Sequence, residues 1–243
     1  MELQILSTDD QEPTVNSEQI REDTPTAALI PWIVGRFGRQ RLVVTTQFGM
    51  EGCALIDMFS RHARHLTVIY IDTGFFFAET YQLRDRLIQK YPHISFVNCG
   101  TDLTPERQAA EHGPELWKSN PALCCVLRKV EPMRGVMGDV DVWVTGLRRD
   151  QSKTRAGIRV IEWDWQYRVL KINPLANWTR EQIWEYVKAN DVPYNKLHEE
   201  GYPTLGCTHC TQRVEGAGVT DYNRDGRWSG FDKTECGLHG AGI

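Results

Sequence analysis

Four times along this chain a short β-branched, apolar run gives way to a helical pattern, and that alternation leaves few folds open. RLVVTTQF (41–48), HLTVIYID (65–72), ISFVNCG (94–100) and DVWVTGL (141–147) read as strands. After the first comes an apolar helical stretch from Cys53 to Arg64. After the second, a helix starts near Phe77, with Phe76, Thr80, Leu83 and Leu87 at helical spacing. Thr104-Pro105-Glu106 opens another, Thr as cap and Pro in the first turn, and CCVLRKVEPM (124–133) reads as helix. Strands that alternate with helices pair in parallel, so the fold class is α/β: a doubly wound, mainly parallel sheet. A first helix is expected from Ser17 to about Val34. VIEWDW and YRVLKINP form a late hairpin or edge pair, and Thr179 to Gln182 is a capping box opening a helix to about Asn190. A single domain over 1–243 is expected, with a disordered N-terminus (about 1–16) and a mobile C-terminal segment (about 212–243).

Ligands of such sheets bind beyond the carboxyl ends of the strands, and three loops there carry unusual residues. In TTQFGMEG (45–52), glycines between strand and helix let backbone N–H groups approach an anion. Glu51 is unfavourable there unless it points away or toward a ribose. DTGFFFAETY places Asp72 at a strand end, as a ribose ligand or a turn cap; its aromatics read as core. TGLRRDQSKTR packs Arg148, Arg149, Lys153 and Arg155 behind an apolar strand, and guanidinium forks suit phosphate or sulfate.

A net charge of −4 argues against nucleic acid as a partner. No apolar run approaches the roughly 20 residues of a membrane span, and the N-terminus lacks the basic and apolar regions of a signal peptide. A cytoplasmic protein is expected, and there seven cysteines point to metal or catalysis. Cys207 and Cys210 form a C-x-x-C in a Gly/Pro loop, which favours metal over redox exchange; Cys124 and Cys125 are the available partners. Four thiolates leave zinc or an iron–sulfur cluster. Adjacent helical cysteines diverge by about 100°, which suits a [4Fe–4S] cluster better than one tetrahedral ion. Cys53 and Cys99 lie in apolar helix and strand contexts and read as core. Cys236 stands in the glycine-rich tail KTECGLHGAGI, where an exposed thiol implies reactivity. His239 is either an aid to its ionisation or a loose tail residue, and Arg224 and Arg227 can move with it.

YIDTGFFFAETY, CCVLRKVEPM, TGLRRDQSKTR, LHEEGYPTLGCTHC and ECGLHG together resemble the assimilatory sulfonucleotide reductases, over most of the chain from Val43 to Gly240. Gln47 departs from that pattern, which often has Ser before Phe-Gly. The resemblance implies an adenine-nucleotide α-hydrolase-like fold related to ATP pyrophosphatases. It implies reduction of adenylyl sulfate, or its 3′-phosphorylated form, to sulfite, in sulfate assimilation toward cysteine. In that chemistry Cys236 attacks the sulfate sulfur, AMP leaves, and thioredoxin or glutaredoxin releases sulfite from the thiosulfonate. The two cysteine pairs place the chain with the iron–sulfur class, for which adenylyl sulfate is the usual substrate. Lys129 is then the cation that reaches the phosphate–sulfate end. The loops and the resemblance together give a substrate-binding set of Thr46, Phe48, Gly49, Asp72, Thr73, Lys129, Gly146, Arg148, Arg149, Arg155, Arg224, Arg227 and His239.

Overall fold

The computed structural model describes residues 20–239. Six strands form one sheet: β1 (Leu42–Thr46), β2 (Leu66–Tyr70), β3 (Ile94–Asn98), β4 (Val142–Val144), β5 (Ile161–Asp164) and β6 (Val169–Ile172), in the order β3-β2-β1-β4-β6-β5. All neighbours are parallel except β5 and β6, which form the expected antiparallel pair. The chain builds outward from β1 through β2 to β3, then returns to place β4 on the other side of β1. That reversal makes the carboxyl ends of β1 and β4 the switch point where a crevice must open.

The central strands β2, β1, β4 and β6 bury both faces, and their period of two divides the core. Val44, Val68, Val142 and Val144 face one cluster, with Leu29, Ile33, Phe37, Leu55, Phe59, Ile183 and Val187 from α1 (Thr26–Phe37), α2 (Met50–Ser60) and α8 (Arg180–Ala189). Val43, Ile69 and Trp143 face the other, with Met133 and Met137 of α7 (Glu131–Met137). Leu238 joins this second cluster and Cys236 packs against it, so the last described residues are built into the core face rather than merely following it. The expected disordered stretch, about 1–16, lies outside the described residues.

Three boundaries differ from the sequence reading. The first helix begins at Thr26, not Ser17, because Pro25 occupies its N-cap in extended geometry after a turn in which Thr24 bonds back to Arg21. The second begins at Met50, directly after Gly49, so the glycine loop is only three residues long. CCVLRKVEPM is helical but not uniformly α. Between α6 (Pro121–Cys125) and α7 lies a π turn, Val126–Val130. A wider turn of this kind re-aims successive side chains, and Arg128 and Lys129 sit within it. The remaining helices, α3 (Ala78–Lys90), α4 (Pro105–His112) and the short α5 (Leu116–Ser119), complete the layers; α4 has the expected Thr104 cap bonding the Arg107 N–H. Among the described residues no helix is long and apolar enough to cross a membrane.

Candidate active site

The crevice at the switch point is a cavity of about 180 Å³. Thr45 and Thr46 at the end of β1, Gln47 and Gly49 of the loop, Glu51 and Gly52 of α2 and Thr145 to Leu147 after β4 form its floor, and Met133 of α7, Thr204, Tyr222 and the tail close it. The two loops lie so close that a Cβ at Gly146 would stand 3.0 Å from the Glu51 Cβ. A side chain at Gly206 would strike the Arg227 guanidinium at 2.5 Å, so that glycine lets an arginine reach the roof. Lys129, Arg155, Arg180, Arg224 and Arg227 line the cavity against one carboxylate, Glu51.

Several polar atoms in this wall have no hydrogen-bond partner among the described residues: Gln47 Nε2, Arg224 Nε, His239 Nδ1, Trp228 Nε1, Thr204 Oγ1 and His198 Nε2. Buried polar groups are normally satisfied, so such a concentration marks the place of a polar ligand. Lys129, 2% exposed, reaches only Gln47 Oε1, at 3.5 Å. Gln47 therefore stands in the wall even though it departs from the expected serine. His198 is neutral, since burial and then Arg180 push its pKa down to about 4. Its Nδ1 lies 2.8 Å from the Tyr202 carbonyl and 3.3 Å from Arg180 Nη2, and its Nε2 has no partner among the described residues.

Cys236 lies in the same cavity. Burial pushes its thiol up, but Lys129, the Leu238 N–H and Arg227 outweigh burial and the nearby Glu235 and hold the pKa below the ordinary thiol range. The effect is mutual. Burial disfavours the Lys129 ammonium, yet Cys207, Cys236 and Cys125 more than restore it. His239 is also in the cavity, stacked on Trp143 with ring centroids 5.1 Å apart, and burial together with Lys171 keeps it neutral. The cations that favour the thiolate are Lys129 and Arg227.

Behind Lys129 lies a second, smaller cavity lined by Cys124, Cys125, Cys207 and Cys210, with Lys129 and Arg227 common to both. Phe75, Trp117 and His209 cover it, the last two stacked at 3.9 Å. Cys207 meets Thr73 Oγ1 at 3.3 Å, and Gln108 reaches Cys124 at 3.9 Å. Arg128 ties these together, donating to Gln108 (2.6 Å) and to the Thr73 carbonyl (2.7 Å) while lying over the Phe75 ring. Burial and then the neighbouring thiols push Cys124 up to about 12 and Cys210 up to about 11. Among the described residues no three His, Cys, Asp or Glu side chains are drawn together as around a single metal ion. Four thiols from two segments, with no carboxylate in the set, fit an iron–sulfur cluster in donor chemistry. Cys53 and Cys99 are buried in the two core clusters, as expected.

The structure rearranges the rest of the expected set. Thr46, Gly49, Lys129, Gly146, Arg155, Arg224, Arg227 and His239 converge on the larger cavity. Thr73 stands on the thiol side. Phe48 is 1% exposed and packs on Tyr70 and Phe76, its backbone at φ 59° with the N–H held by Thr46 Oγ1. Asp72 caps its own turn through the Gly74 N–H and accepts from Tyr81, away from the cavity. Arg148 and Arg149 are not in the wall either. Arg148 is fully buried against Glu51, Asp150 and the Trp178 carbonyl, and Arg149 turns to Glu22, Asn177 and the Ile158 carbonyl. Glu51 does not point away: it pairs with Arg148 (3.0 Å) and Arg180 (3.3 Å) at the cavity edge. Arg180, His198, Trp143 and Tyr222 carry no local sequence signal. Arg180 reads as part of a capping box, and only its long-range pairing with Glu51 brings it to the site.

Residues 41–213 match the phosphoadenosine phosphosulfate reductase domain. The adenosine 5′-phosphosulfate reductase of Lysinibacillus sphaericus is 40% identical over 94% of this chain and 97% of its own length. That of Salinibacter ruber is 45% identical over 87% and 82%. Among solved structures, phosphoadenylyl-sulfate reductase from Candida auris, a phosphate complex, is 32% identical with a TM-score of 0.67, covering 79% of this chain and 91% of that one.

Proposed function

The chain belongs to the phosphoadenosine phosphosulfate reductase family, and from that premise we propose that it reduces adenosine 5′-phosphosulfate to sulfite and AMP through a covalent intermediate on Cys236. The chain is an oxidoreductase of sulfate assimilation. The observation that carries the mechanism is the placement of Cys236 in a cavity lined by Lys129, Arg224 and Arg227 at the switch point of the sheet, where the cations favour its thiolate. The Cys236 thiolate attacks the sulfate sulfur. The S–S bond forms as the bond from sulfur to the bridging oxygen breaks, and AMP departs with that electron pair. Lys129, Arg224 and Arg227 offset the charge that builds up as one anion approaches another. A thiolate of a reduced dithiol, of the thioredoxin or glutaredoxin kind, then attacks Cys236 Sγ and expels sulfite. Its second thiol resolves the mixed disulfide, so the dithiol is oxidised by two electrons and Cys236 returns to the thiol.

Cys124, Cys125, Cys207 and Cys210 would hold a [4Fe–4S] cluster. Bound there, it would supply a redox-capable, thiolate-ligated iron core. Burial and neighbouring thiols hold the Cys124, Cys125 and Cys210 protons on, which suits their loss to a bound metal. Lys129, shared by both cavities, joins that core to the anion site. The 3′-phosphorylated nucleotide is the second reading, favoured by the likeness to the Candida auris enzyme. The test is anaerobic purification, iron analysis, and assay with each nucleotide plus reduced thioredoxin. About four irons per chain and thioredoxin-dependent sulfite from adenylyl sulfate support the proposal. A colourless zinc protein, or turnover of the 3′-phosphorylated nucleotide alone, overturns the corresponding part.

A further inference from the structure

Glu235, one residue before the thiol, is 4% exposed. Its Oε1 accepts from Ser152 Oγ (3.3 Å), Thr154 Oγ1 (3.1 Å) and Arg155 Nε (3.0 Å). Its Oε2 faces Arg155 Nη2 at 2.7 Å and Arg224 Nη2 at 3.3 Å. Thus the bidentate edge of Arg155 is turned to the tail, and its remaining Nη1 donates to Gln151. A carboxylate is a poor choice beside a nucleophilic thiolate. Its charge opposes ionisation of Cys236, and its own burial is costly until two guanidinium groups offset it. Electrostatics alone would place a neutral or basic residue there.

Position explains what charge does not. Beyond Cys236 the tail is held by a hydrogen bond from Gln166 Nε2 to the Gly237 carbonyl (3.1 Å), by Leu238 in the core, and by His239 on Trp143. None of these contacts is ionic, and all lie on the far side of the thiol from Glu235. We propose that Glu235 is a positioning residue: its pair with Arg155, braced by Ser152, Thr154 and Arg224, clasps the tail to the loop after β4 and so sets Cys236 beside Lys129. The proposal rests on Cys236 being the nucleophile. It assigns Arg155 to the tail rather than to direct contact with substrate while the clasp is closed. It also gives the SKTR segment a task that its charge alone did not reveal.

The test is iodoacetamide labelling of Cys236, followed by peptide mass spectrometry over a pH series, in the full-length protein and in Glu235→Ala, Glu235→Gln and Glu235→Asp. Steady-state kinetics are measured beside it. With the clasp lost, the thiol leaves its cations. The labelling midpoint of Glu235→Ala and Glu235→Gln therefore moves up toward a free thiol, and kcat falls about 10- to 100-fold with little change in KM. Glu235→Asp recovers part of both. A bystander carboxylate gives the opposite sign: removing a nearby negative charge lowers the midpoint. A midpoint that falls or stays overturns the clasp. The paired change Ser152→Ala with Thr154→Val, which leaves every charge in place, must move the midpoint in the same upward direction; no movement counts against the clasp. Labelling of the unaltered protein separates the two readings. If modified Cys236 still supports sulfite formation, the nucleophile reading falls. If modification stops sulfite formation but the Glu235 variants keep the original midpoint, only the clasp falls.

Discussion

Two cavities share Lys129 and Arg227, and their thiols are driven in opposite directions. On one side, burial and mutual repulsion push Cys124, Cys125 and Cys210 up. On the other, Cys236 is also penalised by burial, yet the shared cations bring it below the ordinary range. The chemical group is the same; what differs is the company. A thiol among thiols keeps its proton unless a metal displaces it, whereas a thiol beside two cations loses its proton more readily. Of the two cations that follow Cys124 and Cys125, Arg128 stays on the thiol side, bonded to Gln108 and Thr73, while Lys129 lines both cavities.

The comparison breaks most visibly by exchanging single sulfurs for oxygen. Cys236→Ser should reduce sulfite formation by about four orders of magnitude or more, as loss of a covalent nucleophile does, and leave iron content and visible absorption unchanged. Cys207→Ser should do the reverse to the metal, taking bound iron from about four per chain to near none. Iron analysis and turnover on the same samples check both. If either substitution removes both properties at once, the two cavities are not separable in function.

Lys129→Ala tests the shared cation. It should lower kcat/KM by about 10²- to 10³-fold and raise the labelling midpoint of Cys236, with Lys129→Met as a bulk-preserving companion. An unmoved midpoint would leave Arg227 and the Leu238 N–H as the thiolate's support.

A carboxylate sharpens the same rule. Burial pushes Glu51 up, but Arg180 and Arg148 bring it down to about 2. Its folded pKa lies below the unfolded one. Its contribution to stability is therefore complete above the ordinary carboxylate range and is lost as pH falls toward 2. By the linkage of pKa to stability that amounts to ~3 kcal/mol. Urea titrations of the unaltered protein and Glu51→Gln, at neutral pH and through the acid range, should converge as pH falls. The smallest effect is expected at Cys53, fully buried in the core and pushed up to about 12 by burial and then by Glu51. Cys53→Ala should cost ~1 kcal/mol and leave turnover and iron content alone, which marks it off from both working classes of thiol.

How much of this was legible in sequence varies with range. The four strands, the Thr104 and Thr179 caps and the β5–β6 hairpin were readable because each is decided within a few residues. Gly49 and Gly146 were named as site positions, and both line the larger cavity. Arg148 and Arg149 show the limit. A run of cations after an apolar strand looks like an anion site, but Glu51 and Glu22 claim those two, and one of those carboxylates lies nearly a hundred residues upstream. Arg180 and His198 were invisible for the same reason in reverse: nothing near them in the chain announces the cavity that they line.

The layers of the fold and the family to which the chain belongs were legible in the residues alone, because periodicity, caps and spaced motifs are local. Only the tertiary structure decided which cations are free and which are already paired, that a π turn re-aims Arg128 and Lys129, and that Glu235 is seated on Arg155. Charge pairing and burial are properties of neighbours in space, and a buried charge takes whatever partner the fold brings, at whatever distance along the chain.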